Sequence, residues 1–227
     1  MPFSSDRGKG HITRIVNKIK PKTALDIGCG SGTYAKLFPH LEWTGVEIWG
    51  PYIEQYGLRD LYPTLHNVDA REWEPTKKYD ICFLGDVLEH MTVQEANAIF
   101  NKVLGCCETV IISLPIGHYP QDEYEGNPYE RHVTDNWTVK DALLFFPSPK
   151  WYTVDSDIGV FVYTPHDVKL KIAVYAISKD EAHFVPRFCE SAKEADLIMI
   201  ADTGSTDGLP DVARAHGAVV HDICTVS

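Results

Sequence analysis

The run "TALDIGCGSGTY", residues 23–34, decides how the rest of the chain is read. Its opening, "TALDI", has the length and apolar character of a buried strand. Gly28, Gly30 and Gly32 follow at once, and a helical pattern resumes near Tyr34. Glycines between a strand and a helix let the backbone take positive φ and come close to a ligand, while the helix start offers free amide donors. The spacing is GxGxG, which differs from the GxGxxG of a dinucleotide fingerprint.

Outward from this turn, short apolar runs alternate with helical stretches. "WTGVE" (43–47), "YDICFLG" (79–85) and "TVIISLP" (109–115) read as further buried strands, and Tyr34–Leu37 and Val93–Val103 as helices between them. Strand–helix repetition predicts a parallel sheet covered on both faces, a doubly wound α/β fold. "WYTVDS" and "GVFVYT" (151–156 and 159–164) predict a hairpin at the sheet edge. Between the fifth strand and that hairpin lies "PIGHYPQDEYEGNPYERHVTDNW" (115–137), aperiodic and rich in Tyr, His and Glu. A loop of this length and composition is expected to be functional.

Acidic residues recur at the ends of these strands. Glu47 stands nineteen residues after Gly28, placed to accept ribose hydroxyls in bidentate fashion, and Asp69 follows the short run "LHNV". A carboxylate there accepts an exocyclic amine. These features resemble a class I S-adenosylmethionine-dependent methyltransferase over about residues 8–165. "ALDIGCGSGTY", Glu47, "VDA" at Asp69 and "YDICFLGDVLEHM" (79–91) follow that family's motif order. The resemblance implies S-adenosylmethionine as cofactor. It sets Asp26 and the Gly28, Cys29, Gly30, Gly32 turn toward the methionyl part, Glu47 and Ile48 at the ribose, Asp69 and Ala70 at the adenine, and Gly85, Asp86 and Val87 along the cofactor's edge.

Methyl transfer from a sulfonium is an in-line displacement, and a hydroxyl acceptor needs a base. Candidates must lie past the fourth and fifth strands, where ligands sit in open α/β sheets. His118 is the first choice and His132 the second; His90 in "LEHM" reads both as a helix-start residue and as a third candidate. Tyr119, Tyr124, Tyr129 and Glu130 are the candidates to bind a polar or glycan substrate. "GDVL" stands where an amino-methylating enzyme would carry NPPY, which weakens, without removing, the case for a nucleobase amine as acceptor. Oxygen on a sugar is the expected acceptor, from the tyrosine-rich loop and the segment that follows.

The formal net charge of −11 argues against a nucleic-acid partner, which needs a basic surface. No stretch reaches the length of a membrane span, and the opening residues lack a secretory signal, so a cytoplasmic, membrane-free protein is expected. Cys29, Cys82, Cys106, Cys107, Cys189 and Cys224 show no CxxC spacing and read as reduced core thiols, with no metal site signalled.

After about residue 167 the alternation restarts with "LKIAVYAIS", a helix "EAHFVPRFCESAKEA" (181–195) and "LIMIADTGSTDG" (197–208). This segment resembles the opening of a family 2-type glycosyltransferase, which implies a nucleotide-sugar contact at Asp202 and Asp207. No Asp-x-Asp follows, so a partial unit is expected, without glycosyl transfer by this chain alone and with strand edges open to association. Two other readings stay open: a nicotinamide-dependent sugar oxidoreductase or epimerase, opposed by the glycine spacing, and a cofactor-binding module without catalysis.

Overall fold

A computed structural model of the chain describes residues 5–165 and 172–223. The chain divides into two compact units, residues 1–169 and 170–227. The expected boundary near 168 and Cys224 lie outside the described residues.

In the first unit the strands are β1 (Thr23–Ile27), β2 (Glu42–Val46), β3 (Thr64–His66), β4 (Tyr79–Gly85), β5 (Cys107–Pro115), β6 (Trp151–Asp155) and β7 (Ile158–Tyr163). They form one sheet in the order β3-β2-β1-β4-β5-β7-β6. The first five are mutually parallel, with Leu25 opposite Thr44 on one side and Cys82 on the other. β7 then joins β5 antiparallel, Ile112 facing Phe161, and β6 closes the sheet as the outer arm of the hairpin. The sheet is therefore mixed rather than parallel throughout. A two-arm hairpin must pair antiparallel within itself, and its second arm, buried at every position, is the one that reaches β5. β6, largely exposed, is left at the edge.

The central strands are near-continuous apolar runs because both faces are covered. One face carries α1 (Lys9–Ile19), α2 (Thr33–Leu37), α3 (Gly50–Gln55) and α4 (Leu58–Leu61), which bury Ile12, Val16, Phe38, Ile53 and Leu58 with Trp43 and Phe83. The other carries α5 (Val93–Leu104) and α6 (Val139–Phe145), packed through Ala96, Ile99, Phe100 and Val103. That 3–4 spacing is the apolar stripe of an amphipathic helix. Both helices begin at a capping box, Thr92 with Glu95 and Thr138 with Asp141, each satisfying two orphan backbone donors. The described cysteines, Cys29, Cys82, Cys106, Cys107 and Cys189, are all buried and free.

The second unit is a three-stranded parallel sheet, β8 (Ala173–Ser178), β9 (Leu197–Asp202) and β10 (Val219–Asp222) in that order, with α7 (Val185–Ser191) and α8 (Leu209–Ala215). Its core is Val185, Cys189, Ile200, Leu209, Ala213 and Ala218. The helix expected over 181–195 is shorter, because Pro186 sits in its first turn, where a missing N–H costs nothing, and a 3₁₀ turn precedes it. Tyr175 and Ile177 of β8 are 70% and 66% exposed, so one side of this strand is uncovered. Among the described residues no helix is long and apolar enough to cross a membrane.

Candidate active site

β2 and β3 lie on one side of β1, and β4 and β5 on the other, so the strand order reverses between β1 and β4. Loops leaving a reversal point part from each other and open a crevice at the carboxyl ends of the strands. An open cleft of about 840 Å³ occupies that position. Gly28, Cys29 and Gly30 reach it from β1, Glu47 and Ile48 from β2, Asp69 and Ala70 from β3, and Gly85, Asp86 and Val87 from β4.

The β1 turn is stitched to its neighbour: the Gly28 and Cys29 amides donate to the Val46 carbonyl at 2.9 and 3.2 Å. Gly28 has φ +73°, and a Cβ there would lie 2.6 Å from Val87 Cγ2. Glu47 is 5% exposed, yet both carboxylate oxygens are engaged. Oε2 accepts from the Gly30 amide and Oε1 from the Trp49 amide, each at 2.8 Å. Burial raises its pKa, and the two amide bonds oppose that rise. Each oxygen keeps a further lone pair, so the carboxylate can still accept two hydroxyls. Asn67, which sequence reasoning missed, holds this loop by donating to the Glu47 and Ile48 carbonyls at 2.8 and 3.1 Å.

Three expected residues sit differently. Asp26 is 2% exposed and set behind the cleft, accepting from the Tyr62 hydroxyl at 2.5 Å, and burial pushes its pKa up to about 7. Gly32 starts α2 against Leu61 and Leu58 and is also set back. Asp69 lines the cleft, but its carboxylate is gripped by Arg71, whose Nε lies 2.9 Å from both oxygens. Arg71 also bonds Glu95 at 2.7 Å, and its guanidinium holds Asp69 below the usual carboxylate range. Only the fold brings Arg71, two residues along the chain, onto both acids.

At the end of β4, Asp86 has φ +51°, uncommon for a residue with a side chain and often found at functional positions. Its oxygens accept from the Ser113 hydroxyl and the Ser5 amide, both at 3.0 Å. Beyond it a second cleft opens, which shares Asp86 and His90 with the first and adds Glu89, His132, Tyr119 and Gln121. The long loop forms this wall because it is pinned rather than free. Gly117–His118 pairs with Asn136–Trp137, the Val133 and Thr134 amides donate to the Glu89 carbonyl, and His132 N–H donates to Gln121.

The candidate bases separate clearly. His118, the first choice from sequence, has a side chain that is 70% exposed, lies 3.9 Å from Asp135, and lines neither cleft. The short ladder that orders the loop places it outside. His132 and His90 instead stand together, ring centroids 4.8 Å apart. Burial lowers the pKa of both, His90 to about 4, so each is neutral near pH 7. Of the expected substrate contacts, Tyr129 and Glu130 line the first cleft and Tyr119 the second, while Tyr124 lines neither. Asn127, buried at 2%, joins Tyr129 in the first cleft.

In the second unit Asp202 accepts from the Ser205 hydroxyl at 2.5 Å, and Asp207 accepts from the Ala182 and Leu209 amides at 2.8 and 3.1 Å. Asp202 holds its own loop, and Asp207 ties that loop to the segment at Ala182.

No protein-family model matches the chain, and no curated protein matches it. Solved structures do. An S-adenosylmethionine-dependent methyltransferase from Clostridium acetobutylicum matches with TM-score 0.54 at 14% identity, over 68% of this chain and 89% of its own. The chain carries the Rossmann-like methyltransferase fold. An S-adenosylmethionine-bound amino pentose methyltransferase from Micromonospora echinaspora matches that fold with TM-score 0.51 at 17% identity, over 69% and 90%. A Nostoc punctiforme protein assigned to the O-methyltransferases matches with TM-score 0.50 at 20% identity, over 67% of this chain. This chain spans about half of that relative, 54% of its length.

Proposed function

We propose that the chain is an S-adenosylmethionine-dependent methyltransferase that methylates a hydroxyl oxygen of a small polar acceptor of the sugar class. The observation that carries this reading is the meeting of the glycine turn, Glu47, Asp69 and the Gly85–Val87 segment in one cleft at the strand-order reversal. A nucleoside and an amino acid end fit such a cleft: buried carboxylate for the ribose, a glycine turn beside the chain of the sulfonium. The donor set suits the cofactor, since Glu47 retains acceptor capacity toward a vicinal diol.

When bound, S-adenosylmethionine supplies an electrophilic methyl group on a sulfonium. The protein's part is to place the acceptor oxygen in line with that group and exclude water. His132, neutral and beside the shared wall of the two clefts, would accept the proton of the acceptor hydroxyl. Tyr119 and Tyr129 offer ring faces for a sugar. The sugar-class acceptor draws on these tyrosines and on the amino pentose methyltransferase among the structural neighbours.

For the second unit, a nucleotide-sugar role at Asp202 and Asp207 remains a proposal of its sequence, and the uncovered Tyr175 and Ile177 support association through it. The primary reading is tested by calorimetric titration with S-adenosylhomocysteine against NAD. Saturable binding of the former alone is expected; binding of NAD with none of S-adenosylhomocysteine overturns it.

A further inference from the structure

At the wall shared by the two clefts, Glu89, His90 and His132 each offer one ligand atom, and these atoms lie within 4.8 Å of one another. Ligands on opposite sides of a cation at about 2.1 Å stand about 4.2 Å apart, so small side-chain rotations close the set around an ion.

Both rings are fixed in the tautomer a metal needs. His90 Nδ1 lies 3.2 Å from the Arg131 carbonyl and His132 Nδ1 lies 2.6 Å from the Tyr119 carbonyl. A carbonyl only accepts, so Nδ1 carries the proton in each ring and the Nε2 lone pair is available. A backbone carbonyl orienting the far nitrogen of a histidine is the usual support of a metal ligand.

The carboxylate is the independent observation. Glu89 is 2% exposed, and its Oε2 has no hydrogen-bond partner among the described residues. A buried carboxyl oxygen left without a partner is costly, and a coordinated cation satisfies it. No cationic side chain bonds it among the described residues. A cation held between Glu89 and the two imidazoles gives that oxygen a partner.

We propose that Glu89, His90 and His132 form a binding site for one divalent first-row transition ion, a two-histidine, one-carboxylate set with open positions toward the second cleft. Two imidazoles and one carboxylate suit manganese, iron, cobalt or zinc better than calcium. The binding itself is independent of the methyl-transfer reading. Its use rests on that reading: an acceptor hydroxyl taken into an open position would become more acidic and give its proton to solvent water in the open cleft, with His132 serving as ligand instead of base.

The test uses the whole chain after chelator treatment, titrated with Co²⁺ by calorimetry and visible absorption, and with Mn²⁺ by spin resonance. One ion per chain is expected, with Co²⁺ bands that report nitrogen ligation. Glu89→Gln and His132→Phe should each weaken binding at least tenfold, while His118→Ala leaves it unchanged. S-adenosylhomocysteine titration of the same variants reports folding and the cofactor cleft separately. No saturable binding by the unaltered protein, or equal affinity in both variants, overturns the site and leaves a histidine–carboxylate proton relay. Co²⁺ binding without S-adenosylhomocysteine binding would keep the metal site and remove the methyltransferase reading.

Discussion

Replacing Glu47 by glutamine isolates the contact on which the cofactor assignment depends. The wild-type carboxylate accepts the Gly30 and Trp49 amides at 2.8 Å each while 5% exposed. Glutamine keeps the shape, but its NH₂ end is a donor facing one of those amides, so one backbone N–H loses its partner. A hydrogen bond to a charged group contributes about 1.5–3 kcal/mol, so the free protein should lose about that much stability. The same NH₂ cannot accept a ribose hydroxyl. Loss of one such charge-assisted bond predicts S-adenosylhomocysteine affinity lower by roughly 10- to 150-fold. Because burial raises the pKa of Glu47, wild-type affinity should also fall as pH drops through that raised value, and the variant should show a flatter profile. Calorimetric titration across pH, with urea unfolding for stability, reads both quantities. A folded Glu47→Gln protein that binds within twofold of wild type would refute the ribose contact.

Gly85→Ala should cost about 1–3 kcal/mol or more in urea unfolding by overpacking, because its Cβ would lie 2.2 Å from Tyr34 Cε2 in a ring stacked on Phe83; wild-type stability would count against the packing argument. Asp26 holds a proton in the folded state up to about pH 7, against 3.8 ordinarily. Its contribution is therefore fully present below pH about 4 and lost as pH rises to about 7, a swing of roughly 4 kcal/mol that Asp26→Asn should remove; an unchanged pH profile of stability would contradict it. His132→Ala should lower kcat by roughly 10²-fold or more, as expected for loss of a base or metal ligand, whereas His118→Ala stays within twofold; the reverse ranking in a turnover assay would restore His118.

The central sheet was legible because strands buried on both faces must be apolar throughout, and "TALDI" and "YDICFLG" end where the structure ends them. "WTGVE" runs one residue long: the strand stops at Val46, which frees Glu47 to turn its carboxylate onto the two amides. α3 and α4 carried too short a periodicity to announce themselves. Glu89 was in plain view beside His90, yet nothing along the chain shows that one of its oxygens is buried without a partner. The loop that reaches it comes from more than forty positions away, where the Val133 and Thr134 amides dock onto the Glu89 backbone carbonyl.

By itself the sequence determined what is local: an apolar strand, a glycine turn that only residues without a Cβ can make, and acids spaced to follow successive strands. Tertiary structure decided what depends on distant partners. It put β7 inside the sheet, brought Glu95 onto Arg71, withdrew Asp26 behind Tyr62, and set His132 beside His90 while leaving His118 exposed. The physical reason is that composition sets which groups a residue can offer, while burial and the neighbour supplied by another segment set which of them is free to react.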